Sequence, residues 1–348
     1  MLIFRPLNYA DIQDLERLAV VSGGSMTTLP ANRDHLSELI GQTQQSLRKE
    51  VERGEQESYH FVLEDTDSNR IVGVSGIDAA VGLGSPFYSY RIDEVVHASA
   101  EMQIHNRIPA LHLCQDYTGA SRFCTLFLDK DWRSLENLHL LSRARMLFMA
   151  QNPERFSPRT LAELQGPVDE DNRSPFWECL GKHFFSMDFA KANYLTGINS
   201  KSFVADLMPH YPVYVPLLSE EAQRALGQPR PDVEDIMCLL ESEGFKYRGY
   251  VDIFDGGPTI EARTEDIRSI SDSRLTQVRI AATGAKDTDN NRPWIMISNT
   301  KLLDYRCLML QLDPKDPQLS PEQAAQLLVT DSDQVRLLAL DPRELGHK

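Results

Sequence analysis

The stretch from Ser121 to Ala150 changes its hydrophobic period halfway, and this change marks a candidate anion site. Residues 122–128 have the pattern of a strand, and from Leu135 onward the apolar spacing is that of a helix. α/β proteins often hold phosphate groups where a strand turns into a helix, because the first N–H groups of the helix are free to bind an anion. Such turns usually contain glycine, and none lies between Gly119 and Gly166. The turn therefore has the position of a phosphate site without its usual residues.

Three side chains outside this turn are candidates for proton transfer. His210 in "MPHYP" is the best candidate for a proton donor, although a single histidine among prolines and apolar residues often has only a structural role. Tyr117 is a second candidate donor, with surface packing as its alternative role. Glu163 could act as a base or as the partner of a guanidinium group, and a solvated carboxylate at a strand edge is the alternative.

The charge of the chain limits the classes of partner. The 348 residues include 36 Lys and Arg against 51 Asp and Glu, which gives a formal net charge of −15. A nucleic-acid-binding protein needs a basic face, so we expect no nucleic-acid partner. The long-range field of an acidic protein mildly favours cationic small molecules.

Cysteine usage and hydropathy bear on metals and location. The five cysteines are scattered and form no C-x-x-C pair, so the sequence predicts neither a disulfide framework nor a metal site. No run approaches the roughly 18 apolar residues that a membrane helix needs, and the N-terminus lacks the pattern of a signal peptide. We expect a cytoplasmic protein without a membrane partner.

The elements that position these residues follow from periodicity and turn signals. Residues 2–7 predict a strand, and an amphipathic helix follows with Asp11 at its start. Residues 32–53 predict a second helix, and residues 59–81 predict a β-hairpin around "DTDSNR". Later elements are predicted as strands near 87–97, 107–114 and 122–128, a helix from Leu135, a strand at 160–166 and a helix near 174–185.

Strands interleaved with helices predict an α+β fold, in which a mixed sheet carries helices on both faces. After about Ser269 the chain changes to short strand-like runs between polar turns, which predicts a small β-rich appendage over residues 269–348. Residues 1–268 then form the main domain. The segment "FWECLG" is echoed by "LLESEGF", so a degenerate second half from about residue 200 is an open alternative.

Sequence blocks along nearly the whole chain resemble the arginine N-succinyltransferases, which belong to the acyl-CoA-dependent N-acyltransferase superfamily with the GNAT fold. The blocks occur in the same order as in the family, and their combination is highly specific. They are "TTLPAN" (27–32), "FVLEDTDS" (61–68), "VHAS" (96–99), "CTLFLD" (124–129), "SPFW" (174–177), "FFSMDF" (184–189), "LMPHYPVYVPLL" (207–218) and "DIFDGGPT" (252–259). The resemblance implies a GNAT-like, mostly antiparallel twisted sheet flanked by helices.

The resemblance also implies an activity, the transfer of succinyl from succinyl-CoA to the α-amine of arginine, or of ornithine in some members, in arginine catabolism. In a GNAT fold the thioester lies in a gap beside a splayed central strand, here residues 123–129, whose N–H groups polarise its carbonyl. The amine attacks directly, and a proton must reach the departing thiolate. A family leucine in "CTLFLD" contacts succinyl-CoA, and its position here is Leu126, for which a core role is the alternative.

The phosphate turn departs from the family pattern. GNAT enzymes use a turn of the form Q/R-x-x-G-x-G/A, and the aligned turn here runs from Arg133 to Leu138. Arg133 is retained and is the expected cofactor-binding residue, but Glu136 and Leu138 occupy the glycine positions. A Cβ atom obstructs the approach of phosphate to the backbone, and the Glu136 carboxylate would repel a pyrophosphate by about 1 kcal/mol in water.

A second departure concerns proton transfer. The family carries a histidine, assigned as proton donor, in a segment "GQVHP". The corresponding segment here is "GQPRP" (227–231), so that Arg230 occupies the histidine position. Arginine stays protonated up to a pKa above about 12 and cannot release a proton at neutral pH. No catalytic role is therefore expected for Arg230, and His210 remains the candidate donor.

These departures leave two hypotheses from different classes. The chain is either an active arginine or ornithine N-succinyltransferase with a modified turn and another proton donor, or a non-catalytic subunit of a hetero-oligomeric succinyltransferase. The first is favoured by the match of the blocks, and the second by the joint loss of the glycines and the histidine. A homo- or hetero-oligomer with a homologous chain is expected from the resemblance.

Substrate-binding residues follow from the charges of the two substrates. The guanidinium of arginine requires carboxylates, and the candidates are Asp252, Asp255 and Glu163. The carboxylate of the succinyl group requires a cation or a hydroxyl, and Arg91 and Ser99 lie in a family-like block. The sequence does not rank these candidates.

Overall fold

A computed structural model of the chain describes residues 1–23, 26, 28–198, 207–281 and 292–345. Its strands are β1 (Leu2–Pro6), β2 (Ser58–Asp65), β3 (Arg70–Asp78), β4 (Ser89–Ser99), β5 (Ile104–Cys114), β6 (Ser121–Leu128), β7 (Arg159–Glu163), β8 (Val213–Tyr214), β9 (Lys246–Val251), β10 (Pro258–Arg263), β11 (Arg274–Gln277), β12 (Arg279–Ile280), β13 (Trp294–Asn299), β14 (Cys307–Gln311), β15 (Gln318–Leu319) and β16 (Gln334–Ala339). Its helices are α1 (Ile12–Val21), α2 (Arg33–Arg48), α3 (Leu135–Gln151), α4 (Lys182–Phe185), α5 (Phe189–Ile198), α6 (Glu220–Ala225), α7 (Glu234–Ser242), α8 (Arg268–Ser271) and α9 (Pro321–Leu327).

Most strands join one 14-stranded sheet in the order β11-β16-β13-β14-β1-β2-β3-β6-β7-β10-β9-β4-β5-β8. Within the described part of this sheet, every neighbouring pair is antiparallel except β6 with β7. The connection between these two parallel strands contains α3, because parallel neighbours need a crossover that returns the chain to the same end of the sheet. The mixed, mostly antiparallel sheet predicted from the sequence is confirmed.

Helices cover both faces of the sheet. Phe61 and Leu63 of β2 belong to the buried cluster that includes α3, whereas Val62 between them belongs to the cluster of α1 and α2. This separation follows from the alternation of side chains along a strand. On the α3 side, every residue from Leu138 to Met149 is buried, so that α3 is enclosed by the rest of the protein.

The C-terminal strands extend the same sheet. β14 pairs with β1 at Phe4 and Cys307, and β13, β16 and β11 continue outward from β14. The β-rich character predicted for residues 269–348 is present in these strands. The boundary at residue 268 and the degenerate half from about residue 200, where β8, β9 and β10 occur, stay predictions.

Candidate active site

The two parallel strands separate shortly after they meet. β6 and β7 pair at Ser121 with Thr160 and continue in register only as far as Phe123 with Ala162. On its other edge β6 remains paired with β3 as far as Leu128. The later half of β6 therefore faces a gap, and the splay predicted at residues 123–129 is present.

A bulge lies on the strand that borders this gap. Thr125 and Leu126 of β6 stand opposite a single residue of β3, because the register shifts between Val74 and Gly76. Thr125 has φ of 52°, a left-handed conformation that is costly for a β-branched residue. A bulge leaves one residue out of the ladder and redirects the backbone, so that N–H groups become available beside the gap.

The gap opens into a cavity of about 370 Å³, which we call the strand cleft. Its walls come from β6, from β7 and the residues after it, from α3 and α7, and from the turn between β9 and β10. Its lining includes Arg122, Phe123, Cys124, Thr125, Leu126, Arg133, Arg145, Glu163, Arg230, Asp252 and Asp255. A cavity of this size, with a few convergent polar groups, is typical of a small-molecule site.

A second cavity of about 380 Å³ meets the strand cleft at the bulge. Both cavities are lined by Arg122, Cys124 and Thr125, and the second also by His60 and Asp78. Two separate ligands can thus approach the same short segment of β6. This arrangement suits a transfer reaction between a donor and an acceptor.

Arg122 joins two carboxylates at the narrow end of the gap. Its guanidinium lies 2.7 Å from Asp78 and 3.2 Å from Glu163. Burial opposes ionisation of Asp78, but Arg122 outweighs this effect and lowers the pKa of Asp78 below its usual value. Asp78 and Arg122 are therefore both charged at neutral pH, and Glu163 is held by an ion pair.

A chain of hydrogen bonds connects Asp78 to the bulge. The hydroxyl of Ser58 donates to Asp78 at 2.9 Å, so the Ser58 oxygen accepts from Nδ1 of His60 at 3.4 Å. Nε2 of His60 then accepts from the Thr125 hydroxyl at 3.2 Å. Burial lowers the pKa of His60 to about 4, in agreement with a neutral ring. A Cβ at Gly76 would lie 2.6 Å from His60 Nε2, so this position has no room for a larger residue.

The turn between β6 and α3 supplies a hydrogen-bond acceptor for one of the free backbone amides at the start of α3. The Ser134 side chain caps α3 by accepting from the Asn137 amide at 3.2 Å. Arg133 donates to the Asp232 carbonyl at 2.7 Å and to the Asp235 carboxylate at 2.8 Å. The amides of Leu135 and Glu136 come first in the helix and have no acceptor within it. Glu136 adds a negative charge to this first turn, which opposes the binding of an anion there.

A pair of acidic residues lies at the other side of the strand cleft. Asp252 accepts from the Phe254 and Asp255 amides at 2.7 and 3.1 Å, and Asp255 accepts from the Gly257 amide at 2.8 Å. Burial and the nearby Asp252 carboxylate raise the pKa of Asp255 to about 8. A cation bound here would relieve this repulsion.

The structure brings together some of the residues proposed from the sequence. Leu126, Arg133 and Glu163 all line the strand cleft, as do Asp252 and Asp255. Arg230, at the position of the family histidine, also lines the cleft and forms an ion pair with Asp232.

Other candidates lie outside both cavities. Arg91 on β4 pairs with Asp93 at 2.7 Å and with Asp116 at 2.9 Å. Ser99 ends β4, in the hairpin with β5. His210 is exposed and lines neither cavity.

Tyr117 is fully buried rather than at the surface. Its ring packs against Tyr250, with centroids 4.8 Å apart, and lies under the Arg159 guanidinium. Burial, followed by the nearby Glu261 carboxylate, raises the pKa of Tyr117 above its usual value.

Sequence reasoning did not single out four residues that line the cavities, namely Arg122, Thr125, His60 and Arg145. Arg122 is the first residue of a strand pattern, and its charge within an apolar run was the available signal. Arg145 lies in the middle of a helical pattern, where a buried arginine is unusual. No local pattern indicated the bulge at Thr125.

The described residues contain neither a metal-binding cluster nor a membrane-spanning helix. No group of three His, Cys, Asp or Glu among the described residues could hold a metal ion. None of the helices in the described ranges is long and apolar enough to cross a membrane.

A mostly antiparallel sheet that opens at a parallel strand pair, beside a bulged strand, defines the class of GNAT-fold N-acyltransferases. The family model of the arginine N-succinyltransferase beta subunit matches residues 2–269. The chain belongs to the arginine N-succinyltransferase family.

Individual relatives match over nearly the whole chain. An Escherichia coli (strain 55989) protein named arginine N-succinyltransferase is 42% identical over 346 residues, which are 99% of each chain. The protein of the same name from E. coli K12 is 41% identical over 99% of each chain. The structure of arginine/ornithine succinyltransferase subunit AI from Pseudomonas aeruginosa has a TM-score of 0.89 and 39% identity, covering 97% of this chain and 98% of that chain. These matches give no support to the hypothesis of a non-catalytic subunit.

Proposed function

We propose that the protein transfers the succinyl group of succinyl-CoA to the α-amine of arginine, or of ornithine, as an acyltransferase of arginine catabolism. The single observation that carries this proposal is the gap between β6 and β7 beside the bulge at Thr125 and Leu126. Family membership supports the identity of both substrates.

The bulge supplies the chemistry that acyl transfer requires. In the proposed complex the thioester lies along β6 in the strand cleft, and the amides of Thr125 and Leu126 donate to its carbonyl oxygen. The developing oxyanion is stabilised there by donors that are already oriented. The amine attacks the carbonyl carbon, the C–S bond breaks, and the thiolate takes up a proton. Leu126 contacts the acyl donor through this segment.

The nucleotide part of the donor is assigned to the turn before α3. Arg133 and the first amides of α3 are the available partners of its phosphates. Because Arg133 is already paired with Asp235, the phosphates must compete with this carboxylate or displace it. The loss of both glycines makes this contact weaker than in a glycine-containing turn.

The acceptor is assigned to the acidic side of the cleft. Glu163, Asp252 and Asp255 line the strand cleft, and a guanidinium group is the natural partner of such carboxylates. Arg91 and Ser99 for the succinyl carboxylate and His210 for proton donation stay proposals from the sequence alone, because all three lie outside both cavities. A cytoplasmic location and an oligomer with itself or with a homologous chain are parts of the same proposal.

A thiol-release assay tests the proposed function. Purified protein is mixed with succinyl-CoA and arginine, ornithine or agmatine, and free CoA is measured together with the mass of the product. We expect turnover with arginine or ornithine and succinylation at the α-amine. Binding of succinyl-CoA without thiol release for any acceptor would contradict the proposal.

The turn before α3 is tested by calorimetry with CoA. The change Arg133→Met should weaken CoA binding about three- to tenfold, since one partly exposed phosphate contact is lost. Arg173→Met is the matched control, because Arg173 is also exposed and paired with an aspartate but does not line either cavity. Equal CoA affinities in the two variants would show that Arg133 does not bind the nucleotide.

A further inference from the structure

Arg145 on α3 is a buried cation in the wall of the strand cleft. The residue is 1% exposed, and it lines the strand cleft but not the second cavity. Within the described part of the chain, no Asp or Glu forms an ion pair with it, and burial lowers its pKa to about 10. A buried cation without an anionic partner is costly, so an anion bound beside it would be stabilised.

The neighbouring arginines, unlike Arg145, form ion pairs with carboxylates. Arg143, two residues earlier on α3, is equally buried but pairs with Glu243 at 2.7 Å. Arg122 pairs with both Asp78 and Glu163. Of these three arginines, only Arg145 lines the cleft without an ion pair to a carboxylate of the described residues.

Protein groups hold Arg145 in a fixed position. Its Nη1 donates to the carbonyls of Gly76 and Cys124 at 3.0 and 3.3 Å, and its Nε and Nη2 donate to the carbonyl and hydroxyl of Ser142. Its guanidinium lies 4.5 Å from the ring centre of Phe123, which also lines the cleft. Since a guanidinium has five N–H donors, one N–H on Nη2 has no acceptor within the described residues.

The position of Arg145 indicates which anion it binds. The carbonyl of Cys124 immediately precedes Thr125, so the guanidinium lies beneath the segment assigned to the thioester carbonyl. In a succinyl thioester the free carboxylate follows that carbonyl by only two methylene groups. The phosphates of CoA are assigned to the turn at Arg133, at the opposite end of the donor.

We infer that Arg145 binds the free carboxylate of the acyl group and thereby selects a dicarboxylic thioester over neutral acyl-CoA donors. This inference rests on the proposed function and assigns a residue to its substrate specificity. Hydrogen bonds to three carbonyl groups and one hydroxyl group hold the guanidinium in place, and a bound carboxylate completes its coordination.

The test compares succinyl-CoA with butyryl-CoA, which has the same number of acyl carbons and a methyl group in place of the carboxylate. The ratio of their kcat/KM values does not depend on the folded fraction of the enzyme. We expect Arg145→Met to lower this ratio about 10- to 100-fold and Arg145→Lys to restore part of it. An unchanged ratio in the methionine variant would overturn the inference.

Arg143→Met is the matched control, because it removes a buried arginine from the same helix without changing the cleft lining. Its ratio should equal that of the unmodified protein. An equal fall in both variants would mean that the effect is structural and would also overturn the inference.

A second comparison separates the donor carboxylate from that of the acceptor. Agmatine lacks the α-carboxylate of arginine. If Arg145 bound that carboxylate, the Arg145→Met enzyme would lose its preference for arginine over agmatine. We expect that preference to stay constant, and its loss with an unchanged donor ratio would overturn the inference.

A binding measurement keeps the inference separate from the proposed function. If the unmodified protein releases no thiol with either donor, the proposed function fails. Calorimetry still decides the role of Arg145, because succinyl-CoA should bind more tightly than butyryl-CoA only while Arg145 is present. Equal affinities for the two donors in the unmodified protein would contradict the inference.

Discussion

The hydroxyl of Thr125 lies 3.2 Å from Nε2 of His60, and this hydrogen bond anchors the strained residue of the bulge to a buried neutral ring. A left-handed conformation costs a β-branched residue roughly 1–3 kcal/mol. The surrounding contacts must offset that cost for the bulge to persist. The orientation of the amides beside the strand cleft therefore depends on His60 of β2, a residue that need not touch the thioester.

Removal of the Thr125 hydroxyl should weaken both the fold and the reaction. Thr125→Val keeps the shape of the side chain but leaves the buried His60 Nε2 with only the weak Cys124 thiol, 3.9 Å away, as a donor. This loss should lower the free energy of unfolding in urea by about 1–3 kcal/mol. The value of kcat should fall as well, because the bulge loses its anchor. Thr125→Ser retains the hydroxyl and serves as the control. If the valine and serine variants behave alike, the hydrogen bond does not position the bulge.

His60 should make stability fall in mild acid. Its folded-state pKa of about 4 lies below the ordinary histidine value of 6.5, so the unfolded chain binds more protons between these values. The contribution is complete above pH 6.5 and is lost as pH falls through 4, up to about 3 kcal/mol. Urea unfolding of the parent protein and of His60→Asn across this range measures it. The stability difference between them should narrow as pH falls, and a constant difference would contradict the assignment.

Neutralisation of Glu136 should strengthen CoA binding. Glu136 lies in the first turn of α3, where its charge repels the phosphates assigned to the same helix end. Glu136→Gln should tighten CoA binding roughly two- to fivefold at low salt, and less at high salt because of screening. Glu322→Gln changes an exposed first-turn glutamate of α9 and provides the control. Weaker CoA binding by Glu136→Gln would show that this helix end does not face the phosphates.

Asp255 should make the stability of the protein fall as pH rises, which is opposite to the effect of His60. Its folded-state pKa of about 8 lies above the ordinary aspartate value of 3.8, so between these values the folded protein holds a proton that the unfolded chain releases. This contribution is complete below pH 3.8 and is lost as pH rises through 8, by at most about 1.4 kcal/mol per pH unit. Asp255→Asn should therefore gain stability relative to the parent as pH rises.

Asp252→Asn separates the two causes of this shift. It removes the carboxylate that raises the pKa of Asp255, so the pH-dependent loss should move to lower pH while burial keeps part of it. Urea unfolding at several pH values between 5 and 9 measures both variants. An unchanged pH dependence in Asp255→Asn would show that this carboxyl is not protonated in the folded protein.

Local sequence patterns were sufficient to predict much of the sheet. The strands around residues 2–7, the hairpin near 59–81 and the β6–α3 transition follow from apolar periodicity, because each segment buries a defined face. The gap beside β6 was predicted from the resemblance to a known fold rather than from these patterns. No local rule indicates that β7 leaves β6 after Ala162.

The polar parts of the site were harder to predict for a physical reason. Arg145 and His60 obtain their properties from residues distant in sequence, such as Gly76 and Asp78, which only the fold brings close. His210, by contrast, was predicted as a proton donor from its neighbours in the chain, and it is exposed in the structure. Residue type alone identifies candidates for the site. Burial and ion pairing, which only the structure shows, distinguish the residues that line the cleft from those that do not.

The pairing of β1 with β14 has a consequence for how the protein is made. Phe4 leaves the ribosome about 300 residues before its partner Cys307, so one side of the first strand stays open during most of translation. An uncovered edge of this kind invites association with other nascent chains. Closure of that edge therefore waits for the synthesis of β14, and a polypeptide stalled before β14 would be prone to aggregate through β1.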